Sequence, residues 1–300
     1  MKVLIFGDTG FIGSTLKKYL ISNNIETFGI SRSCSKSDLC LDICNHKLFK
    51  EIPYQPDVVI NGASILPENN ALNNPIYIEN VFRVNTLGAV NIANWAKENK
   101  IKKVFNLSTL VVTKKPWKNN LKEIDYKLPE GGHIAYCMSK ISQERLMSEV
   151  LKNTSAQLTN LRLSAVYGSE MKHEGILFSL YDKARKNEII QLVNGETTSF
   201  NFIHVLDIAR IIHILMQSKF SYDVINLASD KETKLIDLAN IIKNNIRSSS
   251  VIENFESERL PSYSRINIDR LLKIVNTGFD FTPIQVGLSK LFQDEIFGNG

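Results

Sequence analysis

Short apolar runs alternate with segments of helical spacing through the first half of the chain. The apolar runs predict strands at 2–6, 26–30, 39–43, 57–60, 103–107 and 157–163. Apolar residues at helical spacing predict helices at 14–20, 81–99 and 135–151. Because strand and helix alternate, the pattern predicts an α/β protein with a Rossmann-type, doubly wound parallel sheet.

The alternation becomes less regular after Gly168. Helices are predicted at 176–187, 208–216 and 235–246, near 269–274 and from Ile284 onward, with short strands at 189–193, 202–205 and 224–227. A chain of 300 residues is long enough for a large α/β domain and a smaller C-terminal α/β lobe.

A glycine-rich turn joins the first strand to the first helix. Gly7 allows a tight turn, Gly10 lets the backbone approach a pyrophosphate, and Gly13 lets helix and strand pack closely. The N–H groups at the helix start then favour phosphate. The turn predicts a dinucleotide site, and packing alone is the alternative. The cofactor contacts expected here are Gly7, Thr9, Gly10, Phe11, Ile12 and Gly13.

Composition narrows the function classes. The net charge is only +5, and the basic clusters at 100–103 and 114–115 contain no aromatic residues, so we expect no nucleic-acid partner. No apolar run reaches the ~20 residues of a membrane helix, and the first strand follows Met1 directly, so a cytoplasmic protein without membrane attachment is expected. Cys34, Cys40, Cys44 and Cys137 are expected to be free thiols, and no metal site is predicted.

Further motifs continue the pattern. They are Pro56 to Ala63, Val84 to Gly88, Ser108-Thr109, Tyr136 with Lys140, Arg162-Leu163 with Tyr167-Gly168, Phe202 to Val205 with Asp207, and Gly287-Leu288. In this order and at these intervals, the chain resembles the extended short-chain dehydrogenase/reductase family, which includes NAD(P)-dependent sugar-nucleotide epimerases, dehydratases and reductases. The resemblance covers nearly the whole chain.

The resemblance implies that Thr109, Tyr136 and Lys140 are catalytic. Tyr136 and Lys140 are four residues apart on a predicted helix and therefore share a face. A free tyrosine has a pKa of about 10, so a base at neutral pH needs it lowered by roughly three units, which a nearby ammonium favours. Thr109 is expected to bind the substrate oxygen, with Ser108 as the alternative; a surface Tyr–Lys pair is the structural alternative.

Cofactor choice depends on the end of the second strand. Ser31-Arg32-Ser33 offers a guanidinium and hydroxyls where NAD enzymes usually carry an acidic residue, so we expect NADP, with NAD possible. The family pattern adds Asp42 and Ile43 beside the adenine, Asn61, Gly62 and Ala63 along the phosphates and ribose, and Lys140 at the ribose.

The substrate contacts expected are Ser64, Ser108, Ala165 and Arg265. Many family members have Asn where this chain has Ala165 and Arg where it has Phe200, so Arg265 or Arg259 would supply the positive charge for a diphosphate. Leu110-Val111 replaces the Asp-Glu pair of the dehydratases, and because aliphatic groups cannot transfer protons, dehydration is disfavoured.

The resulting expectation is an NADP(H)-dependent 4-keto reductase of nucleotide sugars. A nucleotide-sugar epimerase is the alternative, and a non-catalytic NADP-binding partner protein is a more distant one. Residues 1–168, together with about 201–228, are expected to bind the dinucleotide, and 169–200 with 229–300 to form the substrate-binding lobe. The helices at 81–99 and 135–151 are expected to form a homodimer interface.

Overall fold

The computed structural model describes residues 1–68 and 71–297, with side chains to 293. The strands are β1 Lys2–Phe6, β2 Glu26–Ser31, β3 Leu39–Cys40, β4 Val58–Asn61, β5 Lys103–Thr109, β6 Gln157–Leu163, β7 Ala165–Tyr167, β8 Ile190–Val193, β9 Ser199–Phe200, β10 Phe202–His204, β11 Val224–Leu227, β12 Thr233–Lys234 and β13 Ile252–Phe255. The α-helices are α1 Phe11–Ser22, α2 Pro75–Phe82, α3 Ala89–Glu98, α4 Ile134–Leu151, α5 Gly175–Arg185, α6 Val205–Gln217, α7 Leu235–Asn245, α8 Asp269–Val275 and α9 Ile284–Phe297.

A seven-stranded parallel sheet forms the centre of the protein. Its strand order is β11-β6-β5-β4-β1-β2-β3, which confirms the predicted doubly wound fold. The chain order reverses at β1, which pairs with β2 on one side and β4 on the other. In such sheets a crevice for ligands opens beyond the carboxyl ends of the strands at this point.

The two faces of the sheet carry different helices. Helices α1 and α6 pack together on one face, over an apolar core that includes Ile5, Leu107 and Leu161. Helices α3 and α4 pack together on the other face, over a core that includes Phe6 and Val59. Both faces are therefore covered, as a parallel sheet requires.

The face toward α4 becomes polar near the strand ends. Asn61, Asn106 and Asn160 are register partners on β4, β5 and β6. Asn61 Nδ2 donates to Asn106 Oδ1 at 2.9 Å, and Asn106 Nδ2 donates to Asn160 Oδ1 at 2.8 Å. This buried amide ladder satisfies polar groups within the sheet that would otherwise be costly to bury.

A smaller core lies in the C-terminal half. Helices α5, α7 and α9 surround apolar side chains such as Phe178, Leu238 and Leu288. Strand β13 pairs with β8, and β12 pairs with β9; of these four, only β8 was predicted. The assignment of residue ranges to two lobes stays a prediction, and residues 298–300 of the predicted lobe lie outside the described residues.

The helix predicted at 81–99 begins earlier and is interrupted. Asn74 caps α2 by accepting a hydrogen bond from the Tyr77 backbone N–H, and Pro75 occupies the first helical position. A π-helical turn, Arg83–Gly88, then separates α2 from α3. The turn places the buried Asn85 toward α4, where it contributes to the site described below.

The expectation of four free thiols is wrong for two cysteines. Cys34, in the loop after β2, and Cys40, in β3, form a disulfide, whereas Cys44 and Cys137 are free. Across the described residues, no helix combines the length and the apolar character needed to span a membrane.

Candidate active site

The glycine turn between β1 and α1 is closely packed. Gly7 has φ of 84°, and a Cβ on it would lie 2.7 Å from the backbone N of Ala63. A Cβ on Gly13 would lie 2.1 Å from the Gly7 carbonyl oxygen. Side chains at these positions are therefore excluded, which leaves the backbone of the turn open to a ligand.

A cavity of about 260 Å³ lies over this turn. Its lining residues are Gly7, Thr9, Gly10, Ile30, Ser31, Arg32, Ser33, Leu41, Asp42, Ile43, Gly62, Ala63, Ser64 and Val84. Helix α1 begins after Gly10 with no side chain capping its first turn and no acidic residue there, so its N–H groups are available to phosphate. Backbone, hydroxyl and guanidinium groups around the cavity fit a dinucleotide.

Several predicted cofactor residues do not line the cavity. Gly13 lies beneath the turn and serves packing, and the Asn61 side chain belongs to the amide ladder. Phe11 and Ile12, in the first turn of α1, are also outside the lining. The cavity includes Ile30, Leu41 and Val84, which the prediction missed because apolar residues at strand and helix positions resemble ordinary core residues.

The loop after β2 is held by a cluster of charged and hydroxyl groups. Lys17 Nζ lies 2.9 Å from Asp8 Oδ2 and 2.6 Å from Asp38 Oδ2. Ser37 Oγ donates to Asp8 Oδ1 at 2.7 Å. The loop therefore has a fixed path, and it leaves Arg32 exposed at the rim of the cavity.

The predicted catalytic residues come together at the end of β5 and the start of α4. Tyr136 is 8% exposed and its side chain is hydrogen-bonded to that of Thr109. Lys140 is 1% exposed, and its Nζ donates to the Leu107 carbonyl oxygen at 2.7 Å. Because Leu107 and Thr109 belong to the same strand, β5 positions both the lysine and the hydroxyl.

The pKa of Tyr136 differs from the expectation. Burial raises it above the ordinary value for a phenol, and the hydrogen bond from Thr109 lowers it only partly. Burial also lowers the pKa of Lys140 to about 7, against the opposing effect of the Glu144 carboxylate. The idea that Lys140 makes Tyr136 acidic is thus corrected: without a cofactor, the phenol is held neutral by its apolar surroundings.

A hydrogen-bonded path connects the cavity to this cluster. Ser64 lines the cavity, and its Oγ donates to Asn85 Oδ1 at 3.2 Å. Asn85 Nδ2 donates to Ser139 Oγ at 3.0 Å, and Ser139 Oγ donates to the Tyr136 carbonyl oxygen at 2.7 Å. The wall of the cavity is thus connected by hydrogen bonds to the backbone of Tyr136, although Thr109, Tyr136 and Lys140 do not line the cavity, and Ser64, predicted to bind substrate, lies in that wall.

Ser108 does not face this site. Its side chain is 3% exposed, and its Oγ donates to Glu144 Oε1 at 2.5 Å. The expectation that Ser108 binds substrate is therefore wrong, since its hydroxyl is committed to a buried carboxylate. Glu144 also accepts from Arg162 Nε at 3.1 Å and Nη2 at 2.8 Å. The prediction missed this use of Glu144 and Arg162.

The expected substrate residues Ala165 and Arg265 are both exposed. Arg265 lies on a strap formed by residues 262–267. The Ser264 N–H donates to Ser199 Oγ at 2.8 Å, and the Leu121 N–H donates to the Arg265 carbonyl oxygen at 3.0 Å. The backbone of the strap is thus fixed on both sides of Arg265.

Comparisons with known proteins identify the family of the chain. The model of the NAD dependent epimerase/dehydratase family matches residues 3–228. A putative UDP-glucose 4-epimerase of Methanocaldococcus jannaschii is 28% identical over 258 residues, covering 81% of this chain and 82% of that protein. Protein CapI of Staphylococcus aureus is 23% identical over 338 residues, with 97% of each chain covered.

Solved structures share the fold. UDP-glucuronic acid 4-epimerase from Bacillus cereus, in complex with NAD, aligns with a TM-score of 0.81 and 19% identity over 100% of this chain and 98% of that chain. MoeE5, in complex with UDP-glucose and NAD, aligns with a TM-score of 0.81 and 17% identity over 100% of both chains.

The chain belongs to the NAD-dependent epimerase/dehydratase family, within the extended short-chain dehydrogenase/reductases. It is an NAD-dependent enzyme of the nucleotide-sugar epimerase/dehydratase type.

Proposed function

We propose that the protein reduces a 4-keto group of a nucleotide-linked sugar and uses NADPH to do so. The observation that carries the proposal is the Tyr136 hydroxyl, which is buried, hydrogen-bonded to Thr109 and one helical turn from Lys140. Leu110 is buried directly after Thr109, where an aliphatic side chain offers no proton for dehydration.

Tyr136, Thr109 and Lys140 have different roles in the proton transfer. The nicotinamide, when bound, supplies the hydride that adds to the carbonyl carbon. Tyr136 gives its hydroxyl proton to the carbonyl oxygen, and its raised pKa keeps that proton available at neutral pH. Thr109 donates a hydrogen bond to the same oxygen as negative charge develops there. Lys140, with a pKa of about 7, then returns a proton to the phenolate.

The reaction itself is tested with purified protein, NADPH and a panel of UDP- and dTDP-linked 4-keto sugars. We expect one NADPH consumed for each hydroxyl formed, followed by absorbance at 340 nm and mass spectrometry of the product. No consumption with any member of the panel, by protein shown to bind NADPH, would contradict the proposal.

Epimerisation is a second candidate, because the relative from Methanocaldococcus jannaschii is described as a putative UDP-glucose 4-epimerase. The same residues would then take the proton of the C4 hydroxyl while a bound nicotinamide accepts hydride from C4, and they would return that proton after the hydride has come back to the other face of the carbon. The two reactions are distinguished by the balance of cofactor. Exchange between UDP-glucose and UDP-galactose without net oxidation or reduction of the nicotinamide would favour the epimerase.

Arg32 supports NADPH as the cofactor. It lies at the cavity rim beside Ser31 and Ser33, where a guanidinium can pair with the 2′-phosphate. A hydrogen bond to a charged group contributes about 1.5–3 kcal/mol, so Arg32→Ala is expected to weaken NADPH binding roughly 10- to 150-fold and NADH binding little. Fluorescence titration measures both, and Lys36→Ala on the same loop is the control. Equal loss for both cofactors would contradict the proposed role.

Arg265 is proposed to bind the substrate diphosphate. Its backbone is fixed by the strap, while its side chain is exposed and so can reach an anion. Phe200 cannot supply a positive charge and instead stacks on Phe202 with ring centroids 5.7 Å apart. Arg265→Ala is expected to raise KM more than 10-fold with little change in kcat, whereas the neighbouring Arg259→Ala is expected to change neither. An unchanged KM for Arg265→Ala would refute this assignment.

A second copy of the chain is the proposed protein partner. A groove of about 650 Å³ on the outer side of α3 and α4 is lined mainly by apolar side chains, of which Leu87 and Leu146 are 49% and 44% exposed. Arg83 and Glu149 lie in the same lining, so the surface carries both charges and can pair with itself. Sedimentation should show a dimer for the wild type and a monomer for Leu87→Glu/Leu146→Glu.

A further inference from the structure

Glu144 is a buried carboxylate that does not line the cavity and has no hydrogen bond to Ser64, Ala165 or Arg265. It lies on α4 one turn beyond Lys140, and it is 6% exposed. Three donors satisfy it: Ser108 Oγ at 2.5 Å, Arg162 Nε at 3.1 Å and Arg162 Nη2 at 2.8 Å. A charge buried to this extent is costly unless it is paired and fully hydrogen-bonded, as this one is.

The donors come from adjacent strands. Ser108 and Arg162 are register partners on β5 and β6, so both project toward α4 at the same level. Ser108 lies between Leu107, whose carbonyl oxygen accepts from Lys140 Nζ, and Thr109, whose side chain is hydrogen-bonded to Tyr136. Glu144 therefore ties α4 to the part of β5 that positions both proton-transfer residues.

The hydrogen bonds of Arg162 extend beyond its ion pair with Glu144. Arg162 Nη1 donates to the Glu123 carbonyl oxygen at 3.1 Å, and Glu123 Oε1 accepts from the Asn226 N–H at 3.1 Å. Arg162 is thus held by the loop at Glu123 as well as by α4, and that loop is in turn bonded to β11. The carboxylate it holds cannot turn away from Lys140 without leaving a buried guanidinium unpaired.

The polar and charged side chains around Lys140 come from α4 and from the elements packed against it. The polar and ionisable side chains that the neighbouring elements bring toward this part of α4 are Tyr77 of α2, Asn85 and Thr86 of the π-helical turn, Ser108 and Thr109 of β5, and Arg162 of β6. The polar side chains buried with Lys140 on α4 itself are Tyr136, Cys137, Ser139, Gln143 and Glu144. Glu144 favours the charged form of the lysine, while a second buried carboxylate belongs to Glu123, whose carbonyl oxygen accepts from Arg162.

We propose that Glu144 is a positioning residue for proton transfer, which fixes the end of β5 against α4 and keeps Lys140 able to return a proton to Tyr136 after Tyr136 has given its own to the substrate. The inference rests on the proposed roles of Tyr136 and Lys140. It predicts that the charge of Glu144, and not only its shape, governs the pH dependence of turnover.

The first test replaces the charge and keeps the shape. In Glu144→Gln, the ammonium form of Lys140 loses its neighbouring anion, so we expect the pH profile of kcat to move at least about one pH unit toward acid. Turnover at pH 7.5 should then fall roughly tenfold and recover toward pH 6, since one pH unit corresponds to a factor of ten. Cofactor affinity should stay within about twofold, because Glu144 does not touch the cavity. Glu144→Asp, which keeps the charge, should retain most of the wild-type profile.

A second variant guards against misfolding, because Glu144→Gln leaves Arg162 buried without its partner. Glu144→Met/Arg162→Met removes both charges, a change that is often neutral or stabilising for a buried pair. We expect it to fold and to show the same direction of shift in the pH profile. Arg145→Gln, which removes an exposed charge on the same helix outside the groove, is the matched control and should change nothing.

A readout without substrate separates this inference from the proposed reaction. With ¹³C-labelled lysine, the Lys140 signal is assigned by its loss in Lys140→Met and titrated by NMR. The inference predicts a lower titration midpoint in the folded variants than in the wild type, whether or not any nucleotide sugar is turned over. An unchanged midpoint, or a folded Glu144→Gln protein with a wild-type pH profile, would overturn it.

Discussion

The two faces of the central sheet use the same strands and differ where those strands end. Toward α1 and α6 the face is mainly apolar, and its core includes Leu107 of β5 and Leu163 at the end of β6. Toward α3 and α4 the face begins with residues such as Val104 and continues with the amide ladder, Ser108 and Arg162. The difference indicates that one face supplies stability while the other holds the groups that place the proposed proton transfer.

The largest effect is expected from Tyr136→Phe, on the polar side. Loss of a general acid usually lowers turnover about 10²- to 10⁴-fold, so kcat should fall by that factor while cofactor binding persists. The measurement is steady-state turnover alongside fluorescence titration. Tyr77→Phe, which alters a neighbouring phenol bonded to the Leu66 carbonyl oxygen, is the control. Wild-type turnover in Tyr136→Phe would instead refute the role of Tyr136 as the general acid.

On the apolar side, Leu161→Ala should affect stability and leave the chemistry intact. Leu161 is fully buried, and such truncations lower the free energy of unfolding by about 2–5 kcal/mol. Denaturant unfolding gives that value, and turnover per folded molecule should match the wild type. A selective loss of turnover would show that the two faces are not separable.

Lys140→Met tests how much the burial of this lysine lowers the free energy of unfolding. The pKa of Lys140 is about 7 when folded and near 10.5 when unfolded, so between those pH values the unfolded chain binds more protons. Wild-type stability therefore rises with pH across this window. Any stability advantage of Lys140→Met should be constant below pH 7 and shrink by about 3 kcal/mol between pH 7 and pH 9. Exposed Lys97→Met should show no such trend.

The smallest effect is expected from Asn106→Leu. It removes the middle of the amide ladder and leaves Asn61 Nδ2 and Asn160 Oδ1 without that partner. The expected loss is about 1–3 kcal/mol of unfolding free energy at every pH between 6 and 9. Urea unfolding at those pH values measures it, and a loss that changes with pH would point to coupling with Lys140.

The apolar face could be predicted from sequence more fully than the polar one. The bounds of β6 and β11 match the prediction, because buried aliphatic runs of that length favour strands. The sequence also contains a signal for the early start of α2, since Asn74-Pro75 is typical of a helix start. The helix predicted at 81–99 does not use this signal.

No comparable sequence signal indicates the ion pair between Glu144 and Arg162. A glutamate one turn after Lys140 and an arginine inside a strand both look like ordinary exposed side chains in sequence. Only the register of β5 and β6 brings Ser108 and Arg162 together under Glu144. The direction of the pKa of Tyr136 was missed for a related reason, because burial depends on tertiary packing that spacing alone does not contain.

The strap at residues 262–267 is hydrogen-bonded to the loop between β5 and α4. The Leu121 N–H donates to the Arg265 carbonyl oxygen, and the Leu121 carbonyl oxygen accepts from the Asn267 N–H. Asn226 Nδ2 donates to the carbonyl oxygens of both Leu121 and Asn267. Leu121 belongs to the segment that runs from Thr109 to Tyr136. If Arg265 binds an anion as proposed, the bound anion and the two proposed catalytic hydroxyls would be connected through this one set of backbone hydrogen bonds.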